Sequence, residues 1–212
     1  DARTGAPHGK ALMHAAPVND VAFSPDGEHV LTACQDQAAR VWHAESTSIV
    51  APPLMHDGPV VSARFSADKL YLLTASLDGT ARIFSLAGEQ LTEPLLHDAA
   101  VIAAEFSPDG KRVASVSDDG RLHLWQANHT QQLRSALDHG AAITALAANA
   151  DGSRIATGTA RGDVRLWTMR ADASGNAAPV VPERQFPAHA QALTALAFDA
   201  RGTQLATASS DG

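Results

Sequence analysis

The chain has 212 residues, of which 45% are hydrophobic and 18% are charged, a composition typical of a folded globular protein. Its formal net charge of -7 argues against a nucleic-acid partner, because phosphate binding requires a basic stripe. No apolar run approaches the roughly 18 residues that a membrane-spanning helix needs, so we expect no membrane partner either.

Cys34 is the single cysteine, so no disulfide can form within the chain. This favours a reducing compartment, and we expect a cytoplasmic protein. The chain begins at Asp1 and shows no signal peptide, although removal of a targeting segment would leave the same sequence.

A motif recurs five times along the chain, and each copy opens on a histidine. The five histidines are His14, His56, His97, His139 and His189. The repeats span about residues 14–55, 56–96, 97–138, 139–188 and 189–212, of which the last is incomplete. The fourth interval is longer because of residues 171–182, whose Ala, Gly, Ser, Asn and Pro content indicates an inserted loop.

The first repeat shows how each copy is expected to fold. Its predicted strands are residues 18–23, 30–34, 39–42 and 50–55. These short apolar runs lack the 3.6-residue period of a helix. The segment Ser24–Gly27 has Pro and Gly where a type I turn favours them. Pro52 and Pro53 lie in the fourth strand, which we therefore place at the outer edge of the sheet.

The turn between the second and third strands contains Asp-Gly in three copies. These pairs are residues 78–79, 119–120 and 211–212. Asp-Gly between two apolar runs is typical of a two-residue hairpin turn in which both residues have positive φ. We therefore expect tight hairpins here.

A four-stranded unit of about 42 residues cannot bury both of its faces alone, whereas radial stacking of units does so. The sequence thus predicts an all-β protein, a β-propeller with four full four-stranded antiparallel blades and parts of a fifth, across residues 1–212. We expect a segment of a larger, seven-bladed propeller, because the chain stops at a hairpin turn. The alternative is a five-bladed ring closed by residues 8–14 beside 203–209. An open segment would expose strand edges, which favours self-association.

These repeats resemble the WD40 repeat family in their opening histidine, their Phe-Ser-Pro-Asp-Gly turn and their closing Trp, at a period of about 40–45 residues. The resemblance extends from about residue 12 to Gly212. The Trp-Asp dipeptide that names the family is not intact, because His43, Gln126 and Thr168 follow the three tryptophans.

The resemblance implies a hydrogen-bonded set of His, Ser or Thr, Asp and Trp in each blade. Carried onto this sequence, the sets are His14, Thr32, Asp36 and Trp42; His56, Thr74 and Asp78; His97, Ser115, Asp119 and Trp125; His139, Thr157 and Trp167; and His189, Thr207 and Asp211. We expect incomplete sets in the second and fourth repeats, where Phe84 replaces Trp and Arg161 replaces Asp.

Recurring His, hydroxyl and Asp residues also suggest a catalytic triad. An active site normally occurs once, however, and these hydroxyls lie in strand interiors, so we interpret the sets as structural and expect no catalytic residues. The ten histidines form no clustered ligand motif, so we expect no metal and no cofactor.

In propellers that these repeats resemble, partner peptides bind at one rim of the central channel. The matching positions, here called the channel rim, are Pro17, Asn19, Gln35, Pro59, Val61, Leu77, Ile102, Asp118, Thr144 and Thr194. Val61, Leu77 and Ile102 form an apolar part suited to a hydrophobic partner side chain, unless neighbouring loops cover it.

We therefore expect a non-enzymatic scaffold for protein or peptide partners. The alternatives are a propeller enzyme, and a regulatory or sensor segment of a larger signalling protein such as a kinase.

Overall fold

The computed structural model describes residues 3–6, 9–127, 137–151, 153–168 and 181–211. Within these ranges the chain forms 18 β-strands and no helix. The strands assemble into four four-stranded antiparallel sheets and one two-stranded sheet, which we number 1 to 5 in chain order. The described part contains no helix long and apolar enough to cross a membrane.

The strand bounds repeat closely from sheet to sheet. Sheet 1 contains β1 (Val18–Phe23), β2 (His29–Cys34), β3 (Ala38–His43) and β4 (Leu54–Met55). Sheet 2 contains β5 (Val60–Phe65), β6 (Tyr71–Ser76), β7 (Thr80–Ser85) and β8 (Leu95–Leu96). Sheet 3 contains β9 (Val101–Phe106), β10 (Arg112–Ser117), β11 (Arg121–Gln126) and β12 (Leu137–Asp138). Sheet 4 contains β13 (Ile143–Ala148), β14 (Arg154–Thr159), β15 (Asp163–Thr168) and β16 (Val181–Pro187), and sheet 5 contains β17 (Leu193–Phe198) and β18 (Leu205–Ser209).

The all-β prediction is confirmed, as are four full four-stranded units and part of a fifth. Strands are hydrogen-bonded in chain order within each sheet, so the fourth strand is the outer one, as predicted. In sheet 1 this strand is Leu54–Met55 rather than residues 50–55, so Pro52 and Pro53 precede it instead of lying within it. Among the described residues, β17 and β18 pair only with each other, so the ring closure by residues 8–14 is not present. Most of the insertion predicted at 171–182 lies outside the described residues.

The hairpins between the second and third strands differ from the predicted two-residue turns. In sheet 2 the loop has three residues, Leu77–Gly79, and the Gly79 amide donates to the Ser76 carbonyl over 3.3 Å. Only Gly79 has a positive φ, of 84°, and Asp78 does not. This is a type I turn followed by one left-handed residue, so the predicted turn type was wrong.

The first strand of each sheet, here called the inner strand, contains a β-bulge near its start. This bulge was not predicted from the sequence. The bulged residues are Asn19, Val61, Ile102, Thr144 and Thr194. In each case the residue has no partner in the register of the adjacent second strand. A bulge bends its strand and redirects a side chain. All five bulged residues belong to the channel rim.

The apolar cores lie between successive sheets rather than within them. Leu31 and Val41 of sheet 1 pack against Val60, Leu72 and Phe84 of sheet 2 in one cluster. Equivalent clusters join sheet 2 to sheet 3 and sheet 3 to sheet 4. Each fully buried side chain of this size contributes about 1.5–3 kcal/mol by leaving water. Consequently, every interior sheet depends on both of its neighbours.

Candidate functional site

In all five units the repeat histidine contacts the central hydroxyl of the second strand. The distances from histidine Nε2 to the hydroxyl oxygen are 2.8 Å for His14–Thr32, 2.6 Å for His56–Thr74, 2.7 Å for His97–Ser115, 2.7 Å for His139–Thr157 and 2.8 Å for His189–Thr207. The bond fastens the segment that precedes each inner strand to the middle of its sheet.

Three units add a tryptophan to the same hydroxyl. The indole N–H donates over 3.0 Å from Trp42 to Thr32, 2.8 Å from Trp125 to Ser115, and 2.9 Å from Trp167 to Thr157. In sheet 2, Phe84 has no N–H to donate, although its ring still contacts His56 at a centroid distance of 6.4 Å. The hydroxyl is therefore the junction of the set.

The hydrogen-bond directions follow from the other ring nitrogen. His97 Nδ1 lies 3.0 Å from the Leu95 carbonyl, which can only accept, so Nδ1 carries the proton and donates. Nε2 then accepts from the Ser115 hydroxyl, whose oxygen accepts from Trp125. His14 has the same arrangement, with Nδ1 2.9 Å from the Leu12 carbonyl.

The predicted carboxylates join only some of the sets. Asp78 accepts from His56 Nδ1 at 3.1 Å, and Asp211 accepts from His189 Nδ1 at 3.0 Å. Asp36 instead pairs with Arg40 at 2.9 Å. Asp119 accepts from the Ser117 hydroxyl and pairs with Arg121 at 3.3 Å, so the four-residue sets predicted for the first and third units are not assembled. In both units an arginine of the third strand holds the carboxylate, and a backbone carbonyl takes its place at the histidine.

Burial makes these sets unsuited to catalysis. The hydroxyl groups of Thr74, Ser115 and Thr157 belong to residues with 0% exposure, so a substrate cannot reach them. Burial also lowers the pKa of His97 to about 4, with the nearby His123 acting in the same direction. Burial lowers the pKa of His139 to about 4, with the charge of Arg165 contributing. The His97 and His139 rings are therefore neutral hydrogen-bonding groups at pH 7.

One group of possible metal ligands occurs among the described residues. Ligand atoms of Asp26, Glu28 and His29 all lie within 4.8 Å of one another. Both carboxylates are exposed, and Asp26 is already paired with Lys69 Nζ at 2.8 Å. No metal site was expected from the sequence, and this exposed, partly neutralised group carries no assignment.

The structure brings the predicted channel-rim residues to one edge, where the inner strands begin. In each unit, the residue that follows the second strand donates a backbone hydrogen bond to the residue that precedes the inner strand. The donors and acceptors are Gln35 N and Pro17 O at 2.9 Å, Leu77 N and Pro59 O at 3.0 Å, and Asp118 N and Ala100 O at 2.9 Å. The fourth and fifth units repeat this bond, and the bulged residues lie next to it.

The three apolar residues of the channel rim differ in solvent exposure. Leu77 is 44% exposed. Val61 and Ile102 are half-buried and pack against the inter-sheet cores. In the first unit, Asn19 donates to the Val60 carbonyl at 2.7 Å and accepts from Gln35 at 3.2 Å, so its amide is held in place. Leu77 is therefore the best-placed apolar anchor.

A row of three charged side chains crosses the inner strands and was not predicted from the sequence. Arg64 of β5 donates to Glu105 of β9 at 2.8 Å and also bonds Asp20 of β1. Burial disfavours the Arg64 charge, but the Glu105 and Asp20 carboxylates outweigh it and raise the pKa of Arg64. These three charges interrupt otherwise apolar inner strands, which was the available sequence signal.

A model of the repeat family described as "WD domain, G-beta repeat" matches five segments of the chain. They are residues 10–43, 54–85, 88–126, 130–168 and 180–212. The chain belongs to the WD40 repeat family. WD40 propellers are generally protein-interaction scaffolds and are typically non-catalytic.

Solved structures share the fold at low sequence identity. The computationally designed Ika8 protein is 23% identical, with a TM-score of 0.78 over 96% of this chain and 59% of that one. The Cps50 (Swd1) β-propeller domain of Myceliophteria thermophila is 18% identical, with a TM-score of 0.79 over 94% of this chain and 64% of that one. The predicted propeller fold is confirmed, and the WD40 chain spans less than two thirds of each of these proteins. No curated protein matches its sequence.

The buried histidines predict acid sensitivity. Because the folded pKa of His97 and His139 is about 4 and the unfolded value is 6.5, the unfolded chain binds more protons between these pH values. The free energy of unfolding should therefore be fully retained above pH 6.5 and fall as the pH drops towards 4, by about 1.4 kcal/mol per pH unit for each histidine. Urea unfolding across this range measures the slope.

A matched pair of variants assigns the slope. His97→Gln removes one titrating group and should reduce the slope by about one proton. His43→Gln is the comparison variant at an exposed histidine. An unchanged slope in His97→Gln would contradict the assignment.

Proposed function

We propose that the chain is a non-enzymatic interaction scaffold that binds an extended segment of a protein or peptide partner across the channel rim, with Leu77 as its apolar anchor. The observation that carries the proposal is the placement of the variable rim residues at one edge by the repeated backbone bond and bulge. Contiguous exposed apolar patches with a polar rim are typical of partner-binding surfaces.

The parts that recur in every unit support a role without chemistry. The hydroxyls of the histidine sets are buried and take part in holding the sheets together. What differs between the units lies at the rim, where Leu77 stands at the position of Gln35 and Asp118. A surface of this kind distinguishes partners by shape and polarity rather than by reaction.

Substitution at the rim tests the proposal. Peptides selected from a random phage-displayed library against the chain should bind Leu77→Asp at least about tenfold more weakly, because the anchor is replaced by a charge. Fluorescence anisotropy with the selected peptides measures the dissociation constants. Leu77 is preferable to Val61 and Ile102, whose substitution would also disturb the cores.

Leu70→Asp is the matched control, because Leu70 is 60% exposed and lies on the β5–β6 turn, at the other end of the same strands. This variant should bind the peptides within about twofold of the unchanged chain. If every selected peptide bound Leu77→Asp as tightly as the unchanged chain, the rim would not be the binding surface.

We further propose that the isolated chain self-associates through its terminal sheets. The sheet 1 residues Val21 and Phe23 are 59% and 68% exposed, whereas Ala63 and Phe106, at the equivalent positions of sheets 2 and 3, are 1% and 8% exposed. The described structure places no sheet against this face of sheet 1. Ala206 and Ala208 of β18 are likewise exposed, although the equivalent residues of β2 are buried.

Analytical ultracentrifugation tests this second proposal. The chain should show concentration-dependent association that decreases in a Val21→Thr, Phe23→Gln double variant, because the exposed apolar face becomes polar. A double variant with exposed Leu91 and Leu96 changed to Gln is the matched control. A monomeric unchanged chain at about 100 μM would contradict the proposal.

A further inference from the structure

A cavity of about 470 Å³ opens between sheets 2 and 3, at the edge opposite the channel rim. Ile83 and Leu91 supply apolar surface, and the β5–β6 and β9–β10 turns contribute Asp68 and Asp109. Neither the histidine sets nor the rim uses any of these residues. The neighbouring junction between sheets 1 and 2 indicates what could occupy this place.

At the junction of sheets 1 and 2, a lysine of the chain joins the two turns. Lys69 of the β5–β6 turn places its Nζ 2.8 Å from the Asp26 carboxylate in the β1–β2 turn. The bond to Lys69 lowers the pKa of Asp26, and the bond to Asp26 raises the pKa of Lys69. Lys69 has a φ of 66°, a left-handed conformation that a lysine rarely adopts.

At the junction of sheets 2 and 3 this lysine is replaced by a glycine. Ser66, Asp68 and Lys69 of one turn correspond to Ser107, Asp109 and Gly110 of the next. The φ of Gly110 is 67°, so the two turns share the same backbone conformation. A Cβ atom built on Gly110 would have Asp68 Oδ2 as its nearest neighbour, at 3.8 Å. The place of a lysine opposite Asp68 is therefore open.

The acceptors that face this place are incompletely used. Asp68 Oδ1 accepts from the Ser66 hydroxyl at 2.6 Å and from Leu70 N at 3.1 Å, and Oδ2 has no hydrogen bond within the described ranges. Asp109 is arranged in the same way, with Oδ1 accepting from the Ser107 hydroxyl at 2.6 Å. Thr92 also lines the cavity, and its hydroxyl is buried with no partner in the described part of the chain.

We propose that this cavity binds a lysine side chain of a protein partner. The ammonium group would bond Asp68 Oδ2, as Lys69 bonds Asp26, with the Asp109 carboxylate and the Thr92 hydroxyl as further acceptors. The methylene chain would lie along Ile83 and Leu91, as lysine stems do on apolar surfaces. The net charge of -7 favours a basic partner. The partner's being a protein rests on the proposed scaffold function, whereas the lysine chemistry rests on the cavity alone.

Lys111 is the cationic side chain that the structure places at this cavity. It forms no ion pair with the described residues, but its charge acts on the Asp109 carboxylate and so competes with an incoming ammonium group. Lys111→Gln should therefore strengthen binding of a lysine ligand, by about threefold at this exposed position.

The test uses the whole chain and the capped tripeptide acetyl-Ala-Lys-Ala-amide, followed by amide chemical shifts in NMR titrations. Binding of one side chain should be weak, with a dissociation constant on the order of 1 mM. Shifts should saturate at Tyr71, Leu91 and Thr92. The norleucine tripeptide, which keeps the stem but lacks the charge, should bind at least about tenfold more weakly. Equal binding of the two peptides would overturn the proposal.

Gly110→Lys is the decisive variant, because the introduced lysine should reach Asp68 and block the cavity from within. The left-handed backbone is the one Lys69 already adopts, and thermal unfolding checks that the variant folds. Gly27→Lys is the matched control, since Gly27 has a φ of 75° and open space around its Cβ position. Lysine-peptide binding should be lost in Gly110→Lys, kept in Gly27→Lys, and reduced about tenfold in Asp68→Asn.

Retained binding in Gly110→Lys would overturn the proposal. Leu77→Asp should leave the lysine titration unchanged, because Leu77 lies at the opposite edge. If the unchanged chain did not bind the lysine peptide but still bound the selected peptides in a Leu77-dependent way, the cavity proposal alone would be wrong. If it bound the lysine peptide but showed no Leu77-dependent peptide binding, the rim proposal alone would be wrong.

Discussion

The structure depends on one constraint: each sheet buries its apolar faces only against the sheets on either side. Leu31 and Val60, from two different units, are both 0% exposed within one cluster. A single unit would leave such residues in water and could not offset the entropy of ordering its chain. The repeat period and the apolar second strands follow from this requirement.

The buried histidine sets serve the same constraint. A histidine, a hydroxyl and an indole that are withdrawn from water need partners, and each supplies one to the others. The variation in the third partner of the histidine, which is a carboxylate in the second unit and a carbonyl in the third, shows that the requirement is a satisfied hydrogen bond rather than a particular residue. This tolerance is expected of structural groups and not of catalytic ones.

Much of the fold could be predicted from the sequence, because the repeat gives five independent views of the same pattern. The positions of the first three strands of each unit and the outer place of the fourth strand follow from it. The contacts of His97 with Ser115 and of Trp125 with Ser115 were implied by the resemblance to the WD40 repeat family. The carboxylate contacts could not be predicted, because an arginine pairs with Asp36, Asp78 and Asp119 alike, and of these three only Asp78 also bonds its histidine. The bulges were also missed, since an extra residue in one strand is visible only once the register of its partner is known.

The edges of the sheets, by contrast, are free to vary, and this is where the functional proposals lie. The exposure of Leu77 could not be predicted, because motif spacing does not show which residues pack against the turn between β6 and β7. The cavity beside Asp68 depends on a single change, from Lys69 to Gly110, between two turns that are otherwise alike. Sequence comparison of the repeats shows this difference, but only the structure shows that the two turns face each other.

Native-state hydrogen exchange tests the dependence of each sheet on its neighbours most directly. The residues of β10 after Arg112 are buried, whereas buried positions are absent from β18, where exposed and half-buried residues alternate. The account predicts that the amides of β10 exchange slowest and that those of β18 exchange faster by on the order of 100-fold, because the terminal sheet opens separately. Equal protection of β10 and β18 would show that the sheets are stable individually and would contradict it.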